Sequence, residues 1–260
     1  MTDAAAAAAP SPAITTILTG HNEGPLIGLT FRSMLDAVAA AREAGIAVEM
    51  LVVLDKPDAA TLEALSEAEQ HGCRVEQVSF PASDHAGVRN HAVELAQGEY
   101  VAFLDGDDLW TENWLVDAYA MCRTDPGRVI AHPEADWIFD NGSNLWFLLD
   151  QTDPAFDPAY LRVFNYWDVL CLAPRAAYLD HPREPRAIEA GFAYEDWHWN
   201  LKTLGAGYVH RVVPETIHFK RRRRTSQLTV AIGNRSLTPD HPLLTYRGMA
   251  AWEDDHGTRH

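Results

Sequence analysis

The feature that constrains the fold most is a series of short apolar runs separated by stretches of helical periodicity. Three of the runs are Ile14 to Leu18, Glu49 to Asp55 and Tyr100 to Leu104. They are apolar at successive positions, which is typical of strands buried on both faces of a parallel sheet. Leu26 to Ala44 and Ala59 to His71 have helical spacing, and each is followed by a glycine. The sequence therefore predicts an α/β fold with a mainly parallel central sheet flanked by helices.

The three predicted strands deliver polar residues at their carboxyl ends. Thr19 to Glu23 follows the first strand, Asp55 closes the second, and Asp105 to Asp108 follows the third. Ligands of open parallel sheets bind beyond the carboxyl ends of the strands. We therefore expect these three segments to face one crevice.

The segment Asp105-Gly106-Asp107-Asp108 puts three carboxylates on one tight turn. Such carboxylates repel one another unless a cation lies between them, and their oxygen atoms suit Mg²⁺ or Mn²⁺. The alternative is that Asp107 or Asp108 caps a helix that begins near Glu112. The position directly after a fully apolar strand favours the metal site.

Two further motifs lie in the second half of the chain. Glu195-Asp196-Trp197 stands at a predicted helix start, where a carboxylate could deprotonate a hydroxyl or could merely complement the helix dipole. In His218-Phe219-Lys220-Arg221, strand alternation would put His218 and Lys220 on one face. Histidine is a ligand for Mn²⁺-type sites, and the basic residues could stabilise a leaving diphosphate. A surface histidine and a solvated basic run are the plain alternatives.

Charge and cysteine content exclude several classes of protein. The formal net charge is −16, which argues against a nucleic-acid-binding surface. The four arginines at Arg221 to Arg224 indicate a local anion site, which could also touch anionic lipid headgroups. Cys73, Cys122 and Cys171 form no CxxC pattern, so a disulfide scaffold or zinc ribbon is not expected.

The ends of the chain bear on its location. Met1 to Pro12 is rich in alanine and has no basic residue, so it lacks the front end of a secretion signal. No apolar run approaches the ~20 residues that a membrane-spanning helix needs. We expect a cytoplasmic protein, with contact at the inner face of the membrane as an option for the basic run.

The order of these motifs is more specific than any one of them, and the chain resembles the inverting glycosyltransferases of family 2, which have the GT-A fold. The resemblance covers roughly Ala13 to Arg224, and the stretch from Arg89 to Asp108 is its most distinctive part. The segments that carry it are Ile14 to Glu23, Glu49 to Asp55, Ala86 to Asn90, Gly98 to Asp108, Glu195 to Trp197 and His218 to Arg221.

The resemblance implies roles for individual residues. The residues implied to contact a nucleotide-sugar donor are Thr19, His21, Glu23, Asp55, Arg89, Asp105, Arg221 and Arg222. Those implied to bind Mn²⁺ or Mg²⁺ are Asp107, Asp105 and His218. Asp196 would be the general base on the acceptor hydroxyl, and Trp197, Glu195 and Trp199 would contact the acceptor.

The expected reaction is the inverting transfer of a hexosyl group from a nucleoside-diphosphate sugar, with a UDP-sugar favoured. The expected acceptor is a hydroxyl of a glycan or a lipid-linked glycan, and the sequence leaves the oligomeric state open. Two departures from the family pattern stand out. His21 takes a place that is often aromatic, and Lys56-Pro57-Asp58 replaces the usual second acid and Gly-Ser turn.

Two other functions stay open at this point. A sugar-phosphate nucleotidyltransferase would have a basic, Gly-rich loop after the first strand, but Thr19 to Pro25 holds no Lys or Arg. A non-catalytic nucleotide-sugar-binding module of a glycan-assembly complex is the second. The expected division of the chain is a disordered lead at 1–12, a nucleotide-sugar-binding half at 13–110, an acceptor-binding and catalytic half at 111–224, and a tail or lid at 225–260.

Overall fold

The structure, a computed structural model, describes residues 11–80, 85–223 and 227–256. Within them the chain forms one nine-stranded sheet flanked by helices. The strands are β1 (Ile14–Gly20), β2 (Val48–Asp55), β3 (Cys73–Val78), β4 (Tyr100–Asp105), β5 (Leu109–Trp110), β6 (Val129–Asp140), β7 (Asn144–Phe147), β8 (Leu172–Pro174) and β9 (Val209–Arg222). The α-helices are α1 (Leu26–Glu43), α2 (Ala59–Ala64), α3 (His85–Leu95), α4 (Trp114–Cys122), α5 (Arg175–Asp180), α6 (Glu195–Gly205), α7 (Gln227–Gly233) and α8 (Tyr246–His256). Most of the predicted lead and Arg224 lie outside the described residues.

The first half of the sheet is parallel, as the apolar runs predict. Its strand order is β3-β2-β1-β4, and Ile17 of β1 is in register with Leu51 of β2 and Phe103 of β4. These three side chains are buried because helices cover both faces of the sheet. The predicted helix over Ala59 to His71 is two pieces, since α2 ends at Ala64 and a 3₁₀ turn follows at Ala68–His71.

The second half of the sheet is mixed. β8 pairs antiparallel with both β4 and β6, and it joins the parallel half to the long strands β6 and β9. These two run parallel from Val129 opposite Val209 to Asp140 opposite Arg222. β9 is continuous from Val209 to Arg222, and Glu215 within it has a φ of 62°.

A second apolar cluster joins the end of the chain to the second half of the fold. It contains Trp167, Leu201 and Leu204 together with Met249 and Trp252 of α8. The Trp252 indole N–H also donates to the Leu204 carbonyl at 3.3 Å. Burial of side chains of this size contributes about 1.5–3 kcal/mol each. The described part of the predicted tail is therefore packed against its own fold.

The remaining sequence expectations concern cysteines and membranes. Cys73, Cys122 and Cys171 are all buried free thiols. Across the described residues, no helix combines the length and the apolar character that crossing a bilayer requires.

Candidate active site

A cavity of about 940 Å³ opens at the carboxyl ends of β1, β2 and β4. Its walls combine most of the residues that the sequence singled out, from both halves of the chain. The predicted site residues that line it are Thr19, His21, Glu23, Asp55, Arg89, Asp105, Asp107, Glu195, Asp196, Trp197, Arg221 and Arg222. Two predicted residues are absent from its walls, Trp199 and His218.

The acidic turn begins with a carboxylate that is firmly held. Asp105 Oδ1 accepts from Arg89 Nη2 at 2.5 Å and from the Thr19 hydroxyl at 3.1 Å. Burial acts to raise the pKa of Asp105, but Arg89 and Lys220 outweigh it and lower the pKa to about 2. Gly106 is required next, because a Cβ there would lie 2.9 Å from the Thr19 carbonyl oxygen.

The other two carboxylates of the turn face strand β9. Asp107 Oδ2 lies 2.8 Å from Arg223 Nε, and burial raises the pKa of Asp107 against the opposing effect of Arg223. Asp108 is buried and accepts from the Arg221 backbone N–H at 2.8 Å. Neither side chain caps α4, which starts after Asn113. Asp107 and Asp108 therefore do not cap α4.

The loop after β1, which lies next to the acidic turn, and the end of β2 form a further part of the cavity wall. Glu23 accepts from the His21 backbone N–H, and the His21 ring contacts the Asp55 carbonyl oxygen. The Asp55 carboxylate accepts from the Phe80 N–H at 2.9 Å. One oxygen of Asp55 is thus engaged in holding the chain after β3, and the imidazole of His21 is exposed.

Arg89 connects the acidic turn to the start of α6. Its guanidinium is buried, and Nη1 lies 3.7 Å from Glu195 Oε1 while Nη2 holds Asp105. Arg186 Nη2 donates to the same Glu195 oxygen at 2.5 Å. Burial opposes ionisation, but Arg186 and Arg89 together lower the pKa of Glu195. Glu195 therefore anchors α6 between two arginines at the wall of the cavity, and its contact with an acceptor stays a prediction.

Asp196 stands beside Glu195 in a different environment. It lines the cavity in the first turn of α6, preceded by Tyr194, whose φ of 63° is unusual for a residue with a side chain. Burial, together with the charges of Glu195 and Asp168, raises the pKa of Asp196. The Asn165 amide lies 3.5 Å from Asp196 Oδ2. The result is a carboxylate at the cavity wall with an elevated affinity for a proton.

The two tryptophans of α6 have opposite placements. Trp197 lines the cavity, and its indole N–H donates to the Leu161 carbonyl at 3.0 Å. Trp199 is 1% exposed and stacks on Tyr178 at 4.7 Å between ring centroids. Trp199 is therefore a core residue, which corrects its expected contact with an acceptor.

His218 lies behind the cavity rather than beside Asp107. It is fully buried, and its ring meets Trp114 edge-on with the centroids 4.4 Å apart. Its polar neighbours are Asp136 and Asp168. The even spacing on β9 correctly put His218 and Lys220 on one side, but that side faces β6 and the segment before β8. The expected place of His218 in the metal site of the acidic turn is corrected accordingly.

Several wall residues escaped the sequence analysis. They are Asp136, Trp146, Phe164, Asn165 and Asp168, which also line the cavity. Asp136 is one of three acidic residues of β6, with Glu134 and Asp140, so the sequence pattern did not single it out. Trp146 and Phe164, whose rings meet at 5.5 Å, come from an irregular aromatic segment without periodicity.

The family model for glycosyl transferase family 2 matches residues 15–166, which is more than half of the chain. The chain belongs to this family. The curated proteins include a similar one, the putative teichuronic acid biosynthesis glycosyltransferase TuaG of Bacillus subtilis (strain 168). It is 34% identical over 105 residues, which are 40% of this chain and 39% of that protein.

Solved structures of other proteins have the same architecture as this chain. S. aureus TarS 1-349, crystallised in complex with UDP-GlcNAc, matches with a TM-score of 0.64 at 15% identity over 93% of this chain and 66% of that one. The mannosyltransferase PcManGT from Pyrobaculum calidifontis, in complex with GDP-Man and Mn²⁺, matches with a TM-score of 0.60 at 17% identity. That match covers 96% of this chain and 72% of the mannosyltransferase. At such identities the likeness shows the fold, which is GT-A: a mixed, curled sheet flanked by helices.

The matches cover only part of the relatives. The match to TuaG spans 39% of the length of that protein, and the chain spans 43% of the longer TarS chain.

Proposed function

We propose that this chain transfers a hexosyl group, with inversion, from a nucleoside-diphosphate sugar to a hydroxyl of a glycan or lipid-linked glycan. The observation that carries the proposal is the bridge made by Arg89. One buried guanidinium holds Asp105 at the acidic turn and approaches Glu195, the neighbour of Asp196. Arg89 thus links the expected donor-binding groups to the helix that carries the expected base.

The donor half of the cavity suits a nucleotide sugar. The loop of Thr19 to Glu23 and Asp55 would face the nucleoside, and Arg89 and Arg221, which line the same cavity, would lie near the diphosphate. The solved relatives were crystallised with UDP-GlcNAc and with GDP-Man, which supports this class of donor without choosing the base. We favour a UDP-sugar, in keeping with the family resemblance.

The acidic turn fits a divalent metal. Asp105 and Asp107 present carboxylate oxygens to the cavity, and oxygen ligands with open positions for phosphate oxygens are what Mg²⁺ and Mn²⁺ prefer. The Mn²⁺ in the mannosyltransferase complex supports this assignment. When bound, the metal would neutralise charge on the departing diphosphate. Arg221, Arg222 and Arg223 would share that task, since all three line the cavity.

Asp196 is the proposed general base. The acceptor hydroxyl oxygen would attack the anomeric carbon, the bond from that carbon to the diphosphate oxygen would break, and the hydroxyl proton would pass to the Asp196 carboxylate. The raised pKa of Asp196 makes it a stronger base than an ordinary aspartate. Glu195 has the opposite shift because arginines surround it, so it would orient α6 and take no proton.

The acceptor half of the cavity suits a sugar. Trp146, Phe164 and Trp197 supply aromatic surface, and ring faces of this kind pack on the C–H surfaces of sugars. The likeness to a putative teichuronic acid biosynthesis enzyme supports a role in polysaccharide synthesis.

The decisive experiment combines binding and turnover. The melting temperature should rise on addition of a nucleoside-diphosphate sugar with Mn²⁺, and donor hydrolysis should be measurable in the same mixture. Asp107→Asn should lose the metal-dependent rise, while the exposed control Asp125→Asn should keep it. Metal-dependent binding without turnover would favour the silent module, and formation of a nucleotide sugar from a sugar phosphate would favour the nucleotidyltransferase.

A further inference from the structure

A second cluster of ligand-type side chains lies behind the cavity wall. Asp136 of β6, Asp168 before β8 and His218 of β9 each bring one potential ligand atom to within 4.8 Å of the others. The three residues are 1%, 7% and 0% exposed. In the described ranges of the chain, no other three His, Cys, Asp or Glu side chains come together in this way.

The polar atoms of this cluster lack the partners that burial demands. Both carboxylate oxygens of Asp136 and both ring nitrogens of His218 are without a hydrogen-bond partner among the described residues. Buried polar groups are almost always hydrogen-bonded, and an unpartnered buried carboxylate is costly. Asp136 and Asp168 can satisfy each other only through a shared proton or through a cation between them.

The charges of the region are compatible with a bound divalent cation. Lys220 Nζ lies 2.6 Å from both oxygens of Asp168 and 4.0 Å from Asp108 Oδ2. The carboxyl groups of Asp108, Asp136 and Asp168 thus share one ammonium group. Burial raises the pKa of Asp108 and Asp136, which favours their protonated forms when no further cation is present. With all three carboxyls ionised, the excess of two negative charges would match one divalent cation.

We propose that Asp136, Asp168 and His218 bind a divalent transition-metal ion, Zn²⁺ in preference to Mg²⁺, at a site separate from the acidic turn. One imidazole nitrogen with two carboxylates is a ligand set typical of Zn²⁺, whereas the all-oxygen turn at Asp105 and Asp107 suits Mg²⁺ or Mn²⁺. The inference goes beyond the proposed function and does not rest on it.

The surroundings of the cluster fit a bound ion. The edge-on contact of His218 with Trp114 restrains the imidazole, and Lys220 orients Asp168, as outer partners of metal ligands do. Asp136 and Asp168 also line the cavity, which offers the ion a path from solvent. The ion would join β6, β9 and the segment before β8 beneath the acceptor half of the cavity.

The test uses the full chain after treatment with a chelator. Zn²⁺ titration in competition with a chromophoric chelator should show one tight equivalent, and Co²⁺ should give visible absorption bands of a site with a nitrogen ligand. His218→Gln and Asp136→Asn should each weaken Zn²⁺ binding beyond the about 10- to 100-fold that loss of an outer partner costs. Asp107→Asn should retain the tight equivalent, as should the exposed controls His71→Gln and Asp153→Asn.

Circular dichroism and the melting temperature in the absence of metal show whether each variant is folded. Asp136→Asn keeps the shape of the side chain and removes a buried charge, so it should fold and still fail to gain stability from Zn²⁺. Equal Zn²⁺ binding by wild type and Asp136→Asn would overturn the proposal, as would loss of the tight equivalent in Asp107→Asn. The proposal would also be overturned if the wild type bound no Zn²⁺ and the Asp136→Asn variant had a higher melting temperature. That result would mean that Asp136 and Asp168 share a proton. Binding of the donor with Mn²⁺ is measured in a separate experiment, so a negative result for Zn²⁺ does not affect the proposed function.

Discussion

The two walls of the cavity balance their charges in different ways. On the donor wall, Asp105 is held by Arg89 at 2.5 Å and Asp107 lies 2.8 Å from Arg223. On the wall proposed to bind the acceptor, Asp196 forms no ion pair among the described residues, and the Asn165 amide lies 3.5 Å from its Oδ2. Burial is substantial on both sides. Arginine outweighs it at Asp105 and lowers the pKa, whereas burial prevails at Asp196 and, despite Arg223, at Asp107.

The difference teaches how one fold keeps carboxylates for separate tasks. A buried carboxylate whose arginine partner outweighs the effect of burial, such as Asp105, stays ionised to low pH and can attract a metal or orient a ligand. A buried carboxylate without a cation binds a proton more strongly, which suits a group that must accept one. Glu195 and Asp196 show both cases in adjacent residues, with their pKa values moved in opposite directions.

The largest expected effect comes from removing the base. Asp196→Asn should lower the turnover of donor by about 10²- to 10⁴-fold, the range that general base catalysis contributes. The reason is that an amide cannot accept the proton of the attacking hydroxyl. Release of the nucleoside diphosphate measures the rate, and the exposed control Asp180→Asn should be unchanged. A variant with near wild-type turnover would remove Asp196 from the proposed mechanism.

A smaller effect, on stability, should follow from breaking the bridge on the donor wall. Arg89→Met leaves Asp105 and Glu195 short of a buried cation, and loss of one member of a buried pair costs about 3–5 kcal/mol in the free energy of unfolding. The matched control is Arg74→Met, whose partner Glu76 is on the surface, and it should cost no more than about 1 kcal/mol. Denaturant unfolding measures both. Equal losses in the two variants would mean that the Arg89 bridge contributes little.

The smallest effect is a separation of two pH dependences. Asp196 must be ionised to act, so activity should fall as the pH drops through its raised pKa, about tenfold per unit below that value. Asp105, with a pKa lowered from 3.8 to about 2, contributes stability above pH 3.8 and loses it as the pH falls towards 2. Rate profiles should therefore show the loss of activity at a higher pH than the loss of the stability that Asp105 contributes, which circular dichroism measures. Coincident losses would contradict the assignment of the acid limb to Asp196.

Much of this arrangement follows from short stretches of sequence. The apolar runs that became β1, β2 and β4 predicted a parallel sheet, and the acids at their ends predicted where a ligand binds. Trp199 and His218 show the limit of such reasoning. Both belong to motifs that pointed to the site, yet one packs on Tyr178 and the other on Trp114. The direction of a side chain at the end of an element depends on what the rest of the chain packs against it.

The sequence by itself determined the parallel half of the fold and the turn that carries Asp105 and Asp107, because strand burial and turn geometry depend on neighbouring residues. Only the tertiary structure decided which cation meets which carboxylate. Arg89 reaches Glu195 across more than a hundred residues, and Lys220 reaches Asp168 from a different strand. Electrostatic interactions in a buried site act over a few ångströms in space, and no pattern along the chain encodes those distances.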